Sequence, residues 1–485
     1  MTIPDRDAEN STQVAYYGDD FTGSTDVLEM LSLGGIRTVL FTRSPTAKML
    51  QRYAGAQAIG LAGTSRAMSP EEMDRSLPPV FETLKQLRPK FIHYKTCSTF
   101  DSAPQIGNIG RAIEIGKRIC QSPIVPLVVG APALGRYCVF GNLFARFGGE
   151  SAPYRLDRHP SMSRHPTTPM AEADLRRHLA AQTERRIELI DWLTLDRGLS
   201  AVLQCLKSIQ SSGDSVVLFD TLTDAHLATI GAALCELQSW QQQPLFVAGS
   251  SGIEHALVKH CNNQQRLSPD RVGIQAAVKR IDCGSKSDPV DQTLVVSGSC
   301  SPVTHRQIAW ALANGFAEVS LDAQSLVDAD PRGCDLSQNI NQLHKILAAG
   351  QSAIVHTAGP ALEKLAAPKA ESASLPAHVG NLTAATLGVI LGRILREGLK
   401  ARPLKRIAIV GGDTSGHVAM QLGIEALEMA GPLETGAPLC LARSSTNPQI
   451  DGVEVTFKGG QVGRDDFFGK LLSGRTDPHE ITRGK

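Results

Sequence analysis

The stretch VVSGSCSPVTHRQI, Val295 to Ile308, ends an apolar run (Leu294, Val295, Val296) in small residues and then opens a helix. Ser301 stands at the N-cap and Pro302 in the first turn, where a missing N–H costs nothing. Free backbone N–H groups and the positive end of a helix dipole would meet there, beside Ser297 and Ser299. An α/β protein builds an anion pocket from such a junction. RIAIVGGDTSGHVAMQLGIEAL repeats the pattern: a strand, Gly411-Gly412, then Asp413-Thr414-Ser415-Gly416 leading into a helix. A third glycine turn, Phe457-Lys458-Gly459-Gly460-Gln461-Val462-Gly463, follows another strand. Three such turns in one half of the chain favour a nucleotide held by its phosphates.

Working outward, short β-branched runs alternate with helical patterns, which indicates an α/β fold with largely parallel sheets. The expected strands are Gln13–Tyr17, Phe91–Lys95, Ile124–Val129, Ser215–Phe219 and Leu245–Ala248. The later half adds Thr293–Val296, Glu318–Leu321, Ala353–His356, Arg406–Val410, Pro438–Leu441 and Val453–Phe457. At 485 residues the chain exceeds one ordinary core, so two domains are expected. The helix-rich segment Gly252–Arg280 precedes a polar, charged stretch at Ile281–Asp291 that marks the boundary. Domains over 12–280 and 290–473 follow. Residues 151–170 read as a loop rich in Pro, His and Arg, and the last dozen residues read as a polar, frayed end.

Composition narrows the function. Hydrophobic content of 42% with 20% charged residues suits a globular enzyme. A net charge of +1 lacks the electrostatic footprint of a nucleic-acid binder. The apolar runs are strand-sized, so no membrane span is expected. The polar start MTIPDRDAENSTQ offers no apolar segment for a secretory signal. The 10 cysteines are scattered without a CxxC pair, which points to reduced thiols in a cytoplasm.

In the first half, Gly18-Asp19-Asp20-Phe21-Thr22-Gly23-Ser24 follows the first strand. Open α/β sheets place ligands at the carboxyl ends of their strands. An N-cap needs one acid; two adjacent acids exceed that need. Asp19 and Asp20 could bind sugar hydroxyls, hold Mg²⁺ indirectly or take the proton of an attacking hydroxyl, with Asp20 ranked first as the base. Lys95, at another strand end among hydroxyl residues, is a candidate anion ligand or a solvated surface residue. Cys97 beside it reads as packing. Arg136 could grip a carboxylate with its two-pronged guanidinium, and His165 sits in the long loop; each is equally readable as a surface residue. Ala248-Gly249-Ser250-Ser251-Gly252 serves either a ligand or close helix–strand packing.

No Gly-x-Gly-x-x-Gly joins a strand to a helix. The near-matches to a phosphate-binding P-loop at Gly116-Lys117 and Gly469-Lys470 have the wrong spacing and lack the following Ser or Thr. No GxSxG or HExxH appears.

Taken in order, GDDFTGSTD, the Tyr94-Lys95 segment, the Gly135-Arg136 turn, the HPTTPM loop, AGSSG, SGSCSPVT, GGDTSG and FKGGQVG resemble the four-carbon acid sugar kinase family over about residues 12 to 473. The resemblance implies an ATP-dependent enzyme that phosphorylates the terminal hydroxyl of small acid sugars. It implies an N-terminal substrate domain, a C-terminal nucleotide domain and a reaction in the cleft between them. Carried over by motif, Asp19, Asp20, Lys95 and Arg136 fall on the sugar side. Ser297, Asp413, Thr414, Ser415, Gly416 and Gly459 fall on the ATP side, where the turns also bring Ser299, Gly411 and Gly412. Mg²⁺ would ride on the phosphates, with no direct protein ligand identified. A small acid sugar and ATP are the expected partners, and a homodimer is compatible with the sequence.

One departure matters. The family commonly continues the Tyr-Lys segment as Asp-Ser-Thr-Leu-Arg-Gly, whereas this chain reads Cys97-Ser98-Thr99-Phe100-Asp101-Ser102. An acid replaces a plausible carboxylate anchor. That points away from simple tetronates toward branched or 3-oxo acid sugars such as 3-oxo-isoapionate. The alternatives are 3-oxo-tetronate, threonate or erythronate as substrate, or a non-catalytic sensor of nucleotide and sugar acid.

Overall fold

The computed structural model describes residues 12–147, 152–165, 167–267, 287–326, 330–357 and 383–474. Pro166 of the HPTTPM loop, residues 268–286 of the boundary region, the side chain of Asp413 and the last residues from 475 lie outside the described part. The chain divides into two compact units, the first through residue 281 and the second from residue 282.

In the first unit the strands are β1 (Val14–Gly18), β2 (Thr38–Phe41), β3 (Ala58–Ala62), β4 (Phe91–Lys95), β5 (Ile124–Val128), β6 (Arg136–Val139), β7 (Asn142–Arg146), β8 (Pro153–Arg155), β9 (Arg186–Ile190), β10 (Ser215–Phe219) and β11 (Leu245–Gly249). The main sheet runs β2-β3-β1-β4-β11-β5-β10-β9, with every pair parallel. β1, β4, β5, β10 and β11 are buried along their whole length, which is why they read as continuous apolar runs. Tyr17 stacks on Tyr94 at 6.1 Å, and Phe81 meets both edge-on. Phe81 belongs to the helix Pro70–Gln86, which is held by a Ser69–Glu72 capping box and buries Met73, Leu77, Phe81 and Leu84. That spacing is one face of an α-helix.

The chain leaves β1 toward β2 and β3 on one side and later crosses to β4 on the other. Loops after β1 and β4 therefore part at a topological switch point, where such sheets bind ligands. Sequence patterning placed β4 and β10 at their observed bounds and the other expected strands of this unit within a residue. The hairpins β6-β7-β8 form a separate antiparallel sheet. Arg136 thus opens a strand, and part of the stretch expected as loop is strand β8 and two 3₁₀ turns. These pieces are three to five residues long, too short for a periodic signal.

The second unit has β12 (Leu294–Ser297), β13 (Ala317–Ser320), β14 (Ala353–His356), β15 (Arg406–Val410), β16 (Ala426–Glu434), β17 (Ala437–Arg443) and β18 (Glu454–Lys458). Their order is β13-β14-β12-β15-β18-β17-β16. β17 is antiparallel to both neighbours and the remaining pairs are parallel. The switch point falls between β12 and β15. Val295, Ile354, Ala408, Val410, Leu439 and Phe467 form its core. Among the described residues no helix is long and apolar enough to cross a membrane.

Arg406, at the start of β15, is fully buried. Its guanidinium donates to Glu454 Oε2 at 2.8 Å, Leu471 O at 2.7 Å and Asp288 O at 3.0 Å. One side chain thus ties β18, the final helix and the segment before β12 to the central strand. Arg406→Leu leaves those acceptors without a donor, and a loss of about 3 kcal/mol is expected. Urea unfolding of the purified variant measures it, and a loss under about 1 kcal/mol contradicts this role.

Candidate active site

Asp20 is the N-cap of the helix Phe21–Leu33. Its Oδ1 accepts from the Gly23 N–H at 2.8 Å, and its Oδ2 accepts from Thr22 Oγ1 at 2.7 Å and pairs with Arg66. Both oxygens are engaged. A side chain on Gly23 would strike Asp20 Oδ1 and stand 3.0 Å from Lys95 Nζ, so this glycine is what lets acid and lysine approach. Asp19 is 1% exposed. Its amide donates to Lys95 O at 2.9 Å and its carbonyl accepts from the Arg66 amide at 3.0 Å. Its Oδ1 lies 3.7 Å from the Arg66 guanidinium and has no hydrogen-bond partner among the described residues.

Arg66 comes from the 3₁₀ turn after β3. It also reaches Asp101 Oδ2 at 3.8 Å. Thr99 Oγ1 donates to Asp101 Oδ1 at 2.6 Å. Lys95, likewise buried, pairs with Asp26 at 3.5 Å. The ends of three neighbouring strands, β3, β1 and β4, thus place Asp19, Asp20 and Asp101 around one guanidinium, with one ammonium beside them.

This arrangement separates the two adjacent acids. Burial drives the Asp19 pKa up to about 7, and the Asp20 charge adds to the rise while Arg66 and Lys95 oppose it. Burial also resists ionisation of Asp20, but Arg66, Lys95 and the bonds from Thr22 and Gly23 outweigh it and hold the pKa below the usual range. Lys95 is penalised by burial, yet Asp26, Asp20 and Asp19 keep its pKa raised. The two acids are therefore unequal, with the higher proton affinity at Asp19 and not at Asp20. Asp20 is a locked, acidic cap, and Asp19 is the basic carboxylate with an uncommitted oxygen.

Arg136 is half-buried, and its Nη1 donates to Leu134 O at 3.0 Å and Arg146 O at 3.2 Å. Its Nε has no partner among the described residues. Burial lowers its pKa, and Cys97 and Asp101 are the groups that counter this, which places it beside the same loop. His165 turns back on its own loop, with Nδ1 facing the Thr168 hydroxyl at 3.0 Å. In the AGSSG turn, Ser250 Oγ donates to Val129 O at 2.7 Å, whereas Ser251 Oγ is buried without a partner.

In the second unit the three glycine turns occupy the ends of adjacent strands β12, β15 and β18. The Gly298 amide donates to Val410 O at 3.0 Å and the Gly411 amide to Lys458 O at 2.9 Å. Ser301 caps the helix Pro302–Ala313, with Pro302 in its first turn. Gly411 holds φ at +130°, and a Cβ there would lie 2.4 Å from Thr414 Oγ1 and 3.6 Å from the Ser299 amide. The helix Gly412–Leu422 begins inside the GGDTSG motif, so Thr414, Ser415 and Gly416 stand in its first turns and not in a loop before it. Ser415 Oγ donates back to Gly411 O and is fully buried. Thr414 Oγ1 is buried with no partner. An unmet hydroxyl at a helix N-terminus, with the Ser299 N–H nearby, suits a phosphate oxygen. Among the described residues no cluster of three or more His, Cys, Asp or Glu side chains could hold a metal ion.

Sequence reasoning passed over Arg66, Asp26, Thr304 and Lys458. Arg66 follows the run AIGLA through Gly63-Thr64-Ser65, the same strand-then-small-residue signal used elsewhere. Lys458 lies inside Phe457–Gly463, where the glycines carry the local signal and the lysine does not.

A family model described as a sugar-binding N-terminal domain matches residues 14–257, and one described as a nucleotide-binding C-terminal domain matches residues 294–468. The chain is 42% identical over 464 residues to the 3-oxo-isoapionate kinase of Paraburkholderia graminis, covering 95% of this chain and 94% of the relative. It is 28% identical over 454 residues to the 3-oxo-tetronate kinase of Pseudomonas savastanoi pv. phaseolicola, covering 94% and 95%. A solved structure from Salmonella typhimurium LT2 superposes with a TM-score of 0.68 at 23% identity, over 95% of this chain and 98% of that one; that likeness is one of fold.

Arg66 is the shared counter-ion of three carboxylates, so Arg66→Met is expected to cost roughly 3 kcal/mol at pH 8. Without the guanidinium the carboxyl pKa values rise and the acids take up protons as pH falls. The loss is therefore expected to shrink by pH 5.5. Thermal melts at both pH values check this, and an equal loss at both contradicts it.

Proposed function

Because the chain belongs to the four-carbon acid sugar kinase family, we propose that it transfers the γ-phosphoryl group of ATP to the terminal hydroxyl of a small 3-oxo or branched acid sugar, such as 3-oxo-isoapionate. Residues 12–280 hold the sugar and residues 290–473 hold the nucleotide. The observation that carries the reading is the buried Asp19 carboxyl, basic for an aspartate and with a free oxygen, in the unit that matches the sugar-binding description. The free cysteines among the described residues suit a reducing cytoplasm.

Phosphoryl transfer asks a protein mainly for positioning and charge neutralisation. The terminal hydroxyl oxygen attacks the γ-phosphorus, an O–P bond forms, the bond to the β-bridging oxygen breaks, and ADP leaves. Asp19 accepts the hydroxyl proton. Asp20 holds Arg66 and caps its helix, so that Asp19 stays fixed. Arg136, with its unpartnered Nε, anchors the sugar carboxylate, and Lys95 faces the oxygens nearer the acids. On the nucleotide side the Gly412 amide and Thr414 Oγ1 hold phosphate oxygens, the turns at Ser297, Ser299 and Gly411 shape the site around them, and Gly459 closes the third turn. Mg²⁺, when bound, neutralises phosphate charge through the phosphate oxygens, which asks few ligands of the protein.

Support for a 3-oxo branched substrate comes from the 42% identity to the Paraburkholderia enzyme and from Asp101, which sits on Arg66. A coupled ADP-release screen over branched 3-oxo acids, 3-oxo-tetronates, threonate and erythronate tests it. The expected result is kcat/KM at least about tenfold higher for the branched 3-oxo acid than for threonate or erythronate. ADP release with none of these acids, despite ligand-induced stabilisation, would favour a sensor.

Asp19→Asn is expected to lower kcat by about 100-fold or more. In the wild type, kcat/KM is expected to climb with pH through about 7, since Asp19 must lose its proton to act. The stability sign is opposite. Native Asp19 keeps its proton up to about 7, while an unfolded aspartate releases it near about 3.9. Its contribution is thus full below about 4 and is lost as pH rises through 7. The Asp19→Asn variant should therefore gain melting temperature over the wild type at pH 8 compared with pH 5. A flat pH–rate profile across 6 to 8 would remove Asp19 as the base.

A further inference from the structure

Lys458 ends β18 and is wholly buried, at 0% exposure. Its Nζ donates to Gly459 O at 2.9 Å and to Thr304 Oγ1 at 3.3 Å. Phe467 presents its ring 5.7 Å away. Among the described residues Lys458 makes no ion pair. The acid whose charge favours its protonation, Glu434, is committed to Lys470 at 2.9 Å. Arg406, the other fully buried cation of this unit, has its carboxylate in Glu454. A buried ammonium that lacks one is costly, because the interior does not replace its hydration. Burial drives its pKa down to about 7.

The groups it touches lead to the glycine turns. Thr304 Oγ1, which accepts from Lys458 Nζ, donates to Gly460 O at 3.0 Å and accepts from Ser299 Oγ at 3.1 Å. Ser299 Oγ in turn accepts from the Ser301 amide at 3.3 Å. Lys458 O accepts the Gly411 amide. The ammonium is therefore bonded to the β18 turn at Gly459 O and linked to the β12 turn at Ser299 through Thr304. A cation without a carboxylate partner and a hydroxyl without a partner, Thr414 Oγ1, thus belong to neighbouring strand ends of one sheet.

We propose that Lys458 is a positioning residue for the polyphosphate of a nucleotide: it supplies the positive charge of the phosphate site from beneath, acting through Thr304 and the Gly459–Gly460 turn. The proposal rests on the nucleotide reading of this unit and goes beyond it by naming the source of charge. Each added phosphate brings negative charge that the buried ammonium attracts. The effect of Lys458 must then grow along the series AMP, ADP, ATP, whereas a residue that only shapes the turn changes all three alike.

The test is calorimetric binding of AMP, ADP and ATP to the full-length protein, without sugar, for the wild type, Lys458→Met and Thr304→Val. Lys458→Met removes an unpaired buried charge at nearly constant volume, so it is expected to fold. The expected result is a loss for ATP of about tenfold or more with AMP changed by less than about threefold. Thr304→Val, which cuts the link and leaves the charge, should give a smaller loss in the same order. Equal losses for the three nucleotides, or none, overturn the proposal and leave the kinase reading standing. Wild-type protein that binds no nucleotide removes both.

Discussion

The burial of three aspartates around one guanidinium is the constraint on which the first unit depends. Carboxylates do not enter a protein interior unpaired. Arg66 meets Asp20 directly and stands farther from Asp19 and Asp101, at 3.7 and 3.8 Å. That uneven sharing makes two neighbours in sequence chemically different. One becomes a fixed anion that orders a helix. The other keeps its proton to near neutrality and retains a free oxygen.

The second unit shows the same electrostatics with the sign reversed. Its buried excess is a cation, Lys458, at the end of a strand whose neighbour opens the helix that carries the unmet Thr414 hydroxyl. A kinase must handle a sugar hydroxyl that sheds a proton and a phosphate chain that carries negative charge. The proposed answers are a basic carboxylate for the first need and, for the second, an ammonium without an ion pair among the described residues. In both units the parallel sheet sets the location, because strand order reverses beside its first strand and the flanking loops part there.

Much of this was legible in one dimension. The strands at Phe91–Lys95, Ser215–Phe219, Ala353–His356 and Arg406–Val410 are apolar and buried along their length, so pattern alone places them. The glycine turns after β12, β15 and β18 could be read because glycine and small hydroxyl residues between a strand and a helix serve few other purposes. His165 shows the limit. A histidine in a proline-rich loop reads equally as a ligand or a surface residue, and only the fold shows its Nδ1 facing the Thr168 hydroxyl three residues away. Ser415 shows it again, since a hydroxyl offered to phosphate on paper is turned back onto Gly411 within the helix.

The sequence by itself determined the α/β class, most of the strands, the paired acids at the first strand end and the nucleotide-binding grammar of the later half. These depend on local periodicity and on residues close together in the chain. Only the tertiary structure made the two acids unequal, because Arg66 approaches from the turn after another strand, 46 residues after Asp20 by their numbers. Only it showed that Lys458 is buried without a counter-ion among the described residues, since that depends on Thr304 and Phe467 arriving from two other elements. Charges interact through space over several ångströms, and their solvation depends on everything folded around them. Order along a chain records neither.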